Sequence, residues 1–176
     1  PYVLYIDSYS HSEYITGLSA ASMAGIHWTP QARQARNDRE WLNRIQTDCF
    51  SPLAQVNACA SGNKPWSYEK VADDVRGAVH LRLRLLPYFY SAFADYHFKG
   101  IPPVRAMILE QGYQAEKTVA RKAKLDGVFN PYEEAKVVEK TDQFMFGPSI
   151  LVAPFYEDQH SEREVVLPPG NWYDFY

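Results

Sequence analysis

The chain has 176 residues, 46% hydrophobic and 22% charged, a composition that can bury a core and excludes a disordered or fibrous protein. With 18 Lys and Arg against 21 Asp and Glu the formal net charge is −3, and no basic cluster stands out, so no nucleic-acid partner is expected. The longest apolar stretches, about residues 85–94 and 150–155, fall short of the roughly 20 residues of a membrane span, so no membrane partner is expected either.

Tyr2 to Ile6 is an apolar run that reads as a buried strand ending at Asp7. It follows Pro1 directly, with no initiator methionine or signal-peptide layout. The chain is therefore expected to continue upstream, where any targeting signal and part of the active site would lie; the compartment is not legible. Ser10 and Glu13 have capping-box spacing and predict a helix with Tyr14, Leu18 and Ala21 on one face, ending before Gly25. Residues 26–29 read as a second strand, stopped by Pro30. A helix from Asn37-Asp38 follows, with Trp41, Ile45 and Cys49 on its buried side and Ser51-Pro52 as its stop. Leu53 to Ala58 reads as a third strand, and residues 61–65 as the loop after it. Cys49 and Cys59 lack Cys-x-x-Cys spacing and sit among apolar residues, so two buried thiols are expected.

Ser67 is the expected cap of a long helix reaching about Phe98, with Val71, Val75, Val79, Arg82 or Leu83, Leu86 and Phe89 or Tyr90 keeping its spacing. Pro87 must kink or split it, and Gly100 with Pro102 closes it. Strand and helix alternate up to this point, which argues for βα units and a parallel sheet. Beyond Gly100, residues 104–109, 149–153, 164–167 and 172–176 are β-type, with a turn cluster at 168–171. Residues 114–140 are rich in Lys and Glu and read as a solvated insertion, with short helical patterns opening at Glu116 and Glu133.

The expected fold class is α/β followed by all-β, in two parts: residues 1–100, and residues 101–176 with a charged insertion at 112–141. Three βα units cannot close a (β/α)8 barrel, which takes about 250 residues, so the first part can supply only a portion of one.

Four ordered blocks make the chain recognisable: Arg82-Leu-Arg-Leu-Leu-Pro-Tyr-Phe-Tyr90, Gly100-Ile-Pro-Pro-Val-Arg105, Gln143-Phe-Met-Phe-Gly-Pro-Ser-Ile-Leu-Val-Ala-Pro154 and Leu167-Pro-Pro-Gly-Asn-Trp-Tyr-Asp174. They resemble the family 31 glycoside hydrolases, in which these segments are the last barrel helix and the first strands of a C-terminal β-sandwich. The resemblance implies that residues 1–66 are barrel units six to eight and that the parent is a retaining α-glycosidase acting on a carbohydrate. Retention needs two carboxyl groups about 5 to 5.5 Å apart, one nucleophilic and one protonated. Working residues of a barrel project from the C-terminal ends of strands, and Asp7 follows the first run directly. The resemblance places the acid/base carboxyl at Asp7, with a nearby carboxylate and the Tyr5 and Tyr9 rings raising its pKa. An Asp ending a strand is otherwise an ordinary turn residue.

The family's nucleophile motif has no match here, so the nucleophile is expected upstream and the chain alone is expected to be inactive. At the end of the seventh strand many relatives carry a sugar-binding Asp. Here the segment is Trp28-Thr-Pro-Gln31, with Gln31 or Arg33 in that neighbourhood; Asn57 ends the eighth strand near a frequent His. These departures leave the sugar open among an α-glucoside, an α-galactoside and a 2-acetamido sugar. Trp28 could stack on a pyranose ring or serve as core, and His11 could touch substrate or act only within its cap.

Asp7, His11, Glu13 and His27 do not have the spacing of a helical metal pair such as His-Glu-x-x-His, and Glu13 is used by the cap, so no metal is expected. His80 and His97 read as surface or interface residues of the long helix. No phosphate loop or dinucleotide fingerprint is present, and no cofactor is expected. The expected partners are a carbohydrate, the upstream part of the same polypeptide, or a second copy if that part is missing. The alternative function is a non-catalytic carbohydrate-binding fragment or a degenerate pseudo-enzyme.

Overall fold

The structure, a computed structural model, describes residues 3–4, 10–25, 27–28, 32–110, 112, 141–156 and 161–176. Asp7, Gln31 and nearly all of the expected insertion at 112–141, with Glu116 and Glu133, lie outside the described residues.

Strand β1 (Val3–Leu4) pairs in parallel with β2 (His27–Trp28), in the register Val3 with His27 and Leu4 with Trp28. Between them runs α1 (His11–Met23), and the expected capping box is complete: the Glu13 N–H donates to the Ser10 hydroxyl, and the Ser10 N–H donates to the Glu13 carboxylate at 2.7 Å. Helix α2 (Asp38–Asp48) is capped by Asn37, whose side-chain oxygen accepts the Glu40 N–H at 2.9 Å. A parallel bridge then joins Ala32 to Val56. The strand expected over residues 53–58 is reduced to that bridge, because the chain turns into the one-turn α3 (Ala58–Ser61) and the Gln55 N–H is taken by a side chain, Asp48. Cys59 sits on this turn and is exposed rather than buried; Cys49 is buried as expected.

The long helix is split. After a 3₁₀ turn at Glu69–Val71, α4 (Ala72–Arg84) ends at Leu85, and α5 (Leu86–Lys99) starts with Pro87 in its first turn, where a missing N–H costs nothing. Ser67 does not cap it; its hydroxyl accepts the Lys64 N–H and closes the preceding turn. Gly100 ends α5 in the left-handed conformation, φ +73°. Val75 and Phe89 are buried as expected and Ala92 joins them, whereas Val79, Leu83, Leu86 and Tyr90, also expected on that face, are exposed. His80 and His97 lie on the surface of these helices.

Strands β3 (Val104–Ala106), β4 (Phe144–Phe146) and β5 (Ile150–Val152) form an antiparallel sheet in that order. Residues 107–109 continue as a 3₁₀ turn instead of strand. Residues 164–167 and 172–176 are not strands: Val166 has no ladder neighbour and is held by the Gln143 amide, which donates to its carbonyl at 2.7 Å and accepts its N–H at 3.0 Å.

Among the described residues the buried side chains gather in two cores. Tyr14, Ile15 and Leu18 of α1 pack with Phe89 and Ala92 of α5 and with Val104, Phe144, Phe146 and Val152 of the sheet, so one core crosses Gly100. The other gathers Ala32, Trp41, Ile45, Cys49 and Val75. In it Trp41 stacks on Tyr68 at 4.8 Å and donates its indole N–H to the Pro65 carbonyl.

Candidate active site

The parallel pairing decides which residues can share a rim. The Ala32 N–H donates to the Gln55 carbonyl, and the Asn57 N–H donates to the Ala32 carbonyl, both at 2.8 Å. Arg33 and Asn57 therefore leave the pairing at its same, C-terminal end. The turn after Asn57 folds back over Arg33: the Arg33 carbonyl accepts from the Ser61 hydroxyl at 2.6 Å and from the Asn63 side-chain amide at 3.1 Å. Asn63 was not anticipated as part of this rim; its place in a Ser-Gly-Asn loop after an expected strand was the available signal.

Of the six expected site residues, the structure brings Arg33 and Asn57 together. Trp28 ends β2 opposite Leu4. Asp7 and Gln31 follow Leu4 and Trp28 by three residues each in the sequence.

His11 is the first residue of α1 and only 3% exposed. The Thr47 hydroxyl donates to the Asn43 carbonyl at 2.9 Å, so the 2.7 Å contact between His11 Nε2 and Thr47 Oγ1 is donated by the ring, which fixes the Nε2–H tautomer. Burial, reinforced by the positive charge of Arg44 and opposed by Glu40, pushes the His11 pKa down to about 3. The ring is a neutral strut between α1 and α2. Glu13 is engaged in the cap, and among the described residues no group of three or more His, Cys, Asp or Glu is placed to hold a metal ion.

Sequence reading passed over the polar network beneath the rim. Asp48, the last residue of α2, is 2% exposed, accepts the Tyr14 hydroxyl and the Gln55 N–H at 2.7 Å each, and also faces the Ser51 hydroxyl at 3.3 Å. Burial pushes its pKa up to about 7, against the pull of these donors and of Arg82. Arg82 of α4 donates to the carbonyls of Cys49 and Ser51 at 2.7 and 2.8 Å, placing a cation at the end of α2. Burial works against the charge of Glu40 too, but the Arg36 N–H and the Arg36 and Arg44 guanidiniums hold its pKa down to about 2. An acid in the last turn of a helix, where the dipole disfavours it, was the signal for Asp48.

This arrangement of a short parallel sheet with intervening helices, followed by an antiparallel sheet, agrees with two family models. Residues 8–92 match the glycosyl hydrolases family 31 TIM-barrel domain, and residues 100–176 match the glycosyl hydrolase family 31 C-terminal domain. The chain belongs to glycosyl hydrolase family 31. Among its relatives, alpha-glucosidase 2 of Bacillus thermoamyloliquefaciens is 29% identical over 142 residues, covering 78% of this chain and 15% of the relative. Alpha-xylosidase 1 of Arabidopsis thaliana is 26% identical over 140 residues, covering 78% of this chain and 13% of the relative. In fold the chain is similar to the cycloalternan-forming enzyme of Listeria monocytogenes, with TM-score 0.70, 18% identity and coverage of 98% of this chain and 16% of that one. A Flavobacterium johnsoniae dextranase gives TM-score 0.66 at 22% identity, covering 93% and 20%. The chain thus spans about a seventh of the length of the first relatives it matches.

Proposed function

We propose that this chain is the part of a retaining α-glycosidase that carries the acid/base carboxyl, Asp7, and one wall of the sugar pocket. The nucleophilic carboxylate comes from polypeptide outside this chain, which completes the barrel. The observation that carries this reading is the shared direction of the parallel pairs. Strand β1 runs alongside β2 toward Asp7, and the Ala32–Val56 bridge delivers Arg33 and Asn57 to its own C-terminal end, the end of a barrel sheet at which catalysis is built. On this reading Asp7 donates a proton to the leaving oxygen and then takes one from water, while the partner carboxylate holds the sugar covalently in between. Arg33, Asn57, Gln31 and Trp28 face the sugar. The burial of the His11 ring against Thr47 supports a structural role for it rather than contact with the sugar. The relatives' names include alpha-glucosidase and alpha-xylosidase, which supports a terminal α-linked sugar as substrate.

The test is Asp7→Ala in the full polypeptide that carries this chain. Loss of the proton donor slows substrates with poor leaving groups by about 10²–10⁴-fold and spares aryl glycosides with activated leaving groups. Equal losses on both kinds of substrate remove Asp7 from this role. Unchanged rates on both remove it as well, and an unaltered polypeptide that binds sugar but hydrolyses neither kind of substrate favours the carbohydrate-binding alternative.

A further inference from the structure

Asp48 is out of place by local rules: an acid at the C-terminal end of a helix opposes the dipole, and a buried carboxyl forfeits its hydration. Its hydrogen bonds explain what holds it there. Oδ1 accepts the Tyr14 hydroxyl of α1, and Oδ2 accepts the backbone N–H of Gln55, both at 2.7 Å. Gln55 is the residue whose carbonyl accepts the Ala32 N–H, and the Ala32 carbonyl in turn accepts the Asn57 N–H. One unbroken series of hydrogen bonds therefore leads from α1 through Asp48 to the rim. Inside a sheet with a neighbour on each side, the Gln55 N–H would go to a strand carbonyl. Here a side chain supplies that acceptor, and with it the height at which residues 55–57 meet Ala32. Ser51, the cationic Arg82 and the Cys49 thiol complete the surroundings of the carboxyl.

We propose that Asp48 is a positioning residue: by holding the Gln55 N–H it fixes the pairing of residues 55–57 with Ala32, and so fixes where Asn57 and Arg33 meet the sugar. The inference rests on the glycosidase reading for its consequence in catalysis, but not for the placement of the segment itself.

The experiment compares Asp48→Ala, Asp48→Asn, Asn57→Ala and the double variant Asp48→Ala/Asn57→Ala in the full polypeptide. Asp48→Ala raises KM about tenfold, the size expected for one ordinary hydrogen bond, and leaves the dependence of rate on leaving group unchanged. Asp48→Asn restores KM, since its amide oxygen can accept the Gln55 N–H while its NH2 donates to the Tyr14 oxygen. The double variant is worse than Asn57→Ala alone by much less than the factor Asp48→Ala produces by itself, because part of that factor runs through Asn57. Hydrogen exchange of a peptide over residues 53–57 speeds up in Asp48→Ala but not in Asp48→Asn, and peptides of α4 are unaffected. Asp48→Leu, which offers no acceptor but fills space, carries the same expectations if Asp48→Ala does not fold.

Multiplying KM effects of Asp48→Ala and Asn57→Ala, or unchanged exchange over 53–57, overturns the inference. If the unaltered polypeptide turns over no glycoside, the glycosidase reading fails instead, and the exchange measurement alone decides whether Asp48 holds the segment.

Discussion

The Tyr88 hydroxyl occupies the place where a side chain at Gly147 would begin: a Cβ built on Gly147 comes 2.5 Å from Tyr88 Oη and 2.7 Å from Cζ. The tyrosine cannot swing away cheaply, because its hydroxyl donates to the Phe146 carbonyl at 2.8 Å and accepts the Ser149 N–H at 2.9 Å. Helix α5 is thereby fastened to the β4–β5 turn, and two of the sequence blocks that mark the family, around Pro87-Tyr88 and Gly147-Pro148, meet at one point. Gly147 also has φ +59°, the left-handed region.

Gly147→Ala therefore combines backbone strain with the loss of the Tyr88 bonds, and lowers stability by about 3 kcal/mol. Tyr88→Phe, which unpairs Phe146 and Ser149 without strain, costs about 1 to 2 kcal/mol. Urea unfolding of the two variants checks the ranking. A Gly147→Ala variant as stable as the parent would show that the turn can shift away from the ring.

Val79, Leu83, Leu86 and Tyr90 recur at intervals of four, three and four along α4 and α5, and Tyr90 is 80% exposed. Among the described residues nothing covers this stripe, and a patch of this kind marks a surface for other polypeptide, which on the proposed reading is the rest of the barrel. The isolated chain is expected to self-associate through it, and Leu83→Glu with Tyr90→Lys to shift sedimentation toward monomer. In the full polypeptide the same pair acts oppositely, lowering stability by about 3 kcal/mol or more, because the charges then lie buried against the rest of the barrel. A monomeric parent chain with sharp unfolding, or a full polypeptide indifferent to the pair, would end this account.

The elements that sequence reading placed well are those whose causes are local. Ser10 with Glu13, Asn37, Pro87 and Gly100 each act within one turn of helix, and α1, α2, the α4–α5 break and the end of α5 follow from them. Strand expectations at 53–58, 164–167 and 172–176 failed because a strand exists only with a partner, and at Gln55 and Val166 the partner is a side chain, 7 and 23 residues away in the sequence. Helical spacing marked the stripe from Val79 to Tyr90 as apolar but could not say that nothing among the described residues covers it. At the site, Arg33 and Asn57 could be named separately from strand ends. Their meeting depends on the register of Ala32 with Val56, and the burial of His11 on a threonine 36 residues away, and neither is written in local sequence.

His11 and Asp48 sit on neighbouring contacts of the α1–α2 interface and respond to pH in opposite senses. The folded-state pKa of His11 is depressed from 6.5 to about 3, so the unfolded chain binds a proton that the folded one refuses, and stability falls as pH drops below 6.5. The folded-state pKa of Asp48 is raised from 3.8 to about 7, so its contribution is full below 3.8 and lost as pH rises toward 7. Each offset corresponds to roughly 4 to 5 kcal/mol, and the windows overlap, so the two nearly cancel between about pH 4 and 6.5. Urea midpoints of the dilute chain carrying Leu83→Glu and Tyr90→Lys should be nearly flat across that range. Asp48→Asn removes one arm and makes the chain progressively less stable on acidification. His11→Gln removes the other and makes it less stable as pH rises from 4 to 7, and the double substitution returns a flat profile. Below about pH 4.5 the paired Glu40, whose folded-state pKa is depressed, adds an acid loss of its own in every variant. Single variants with the parent's pH slope would show that neither group changes its protonation on folding.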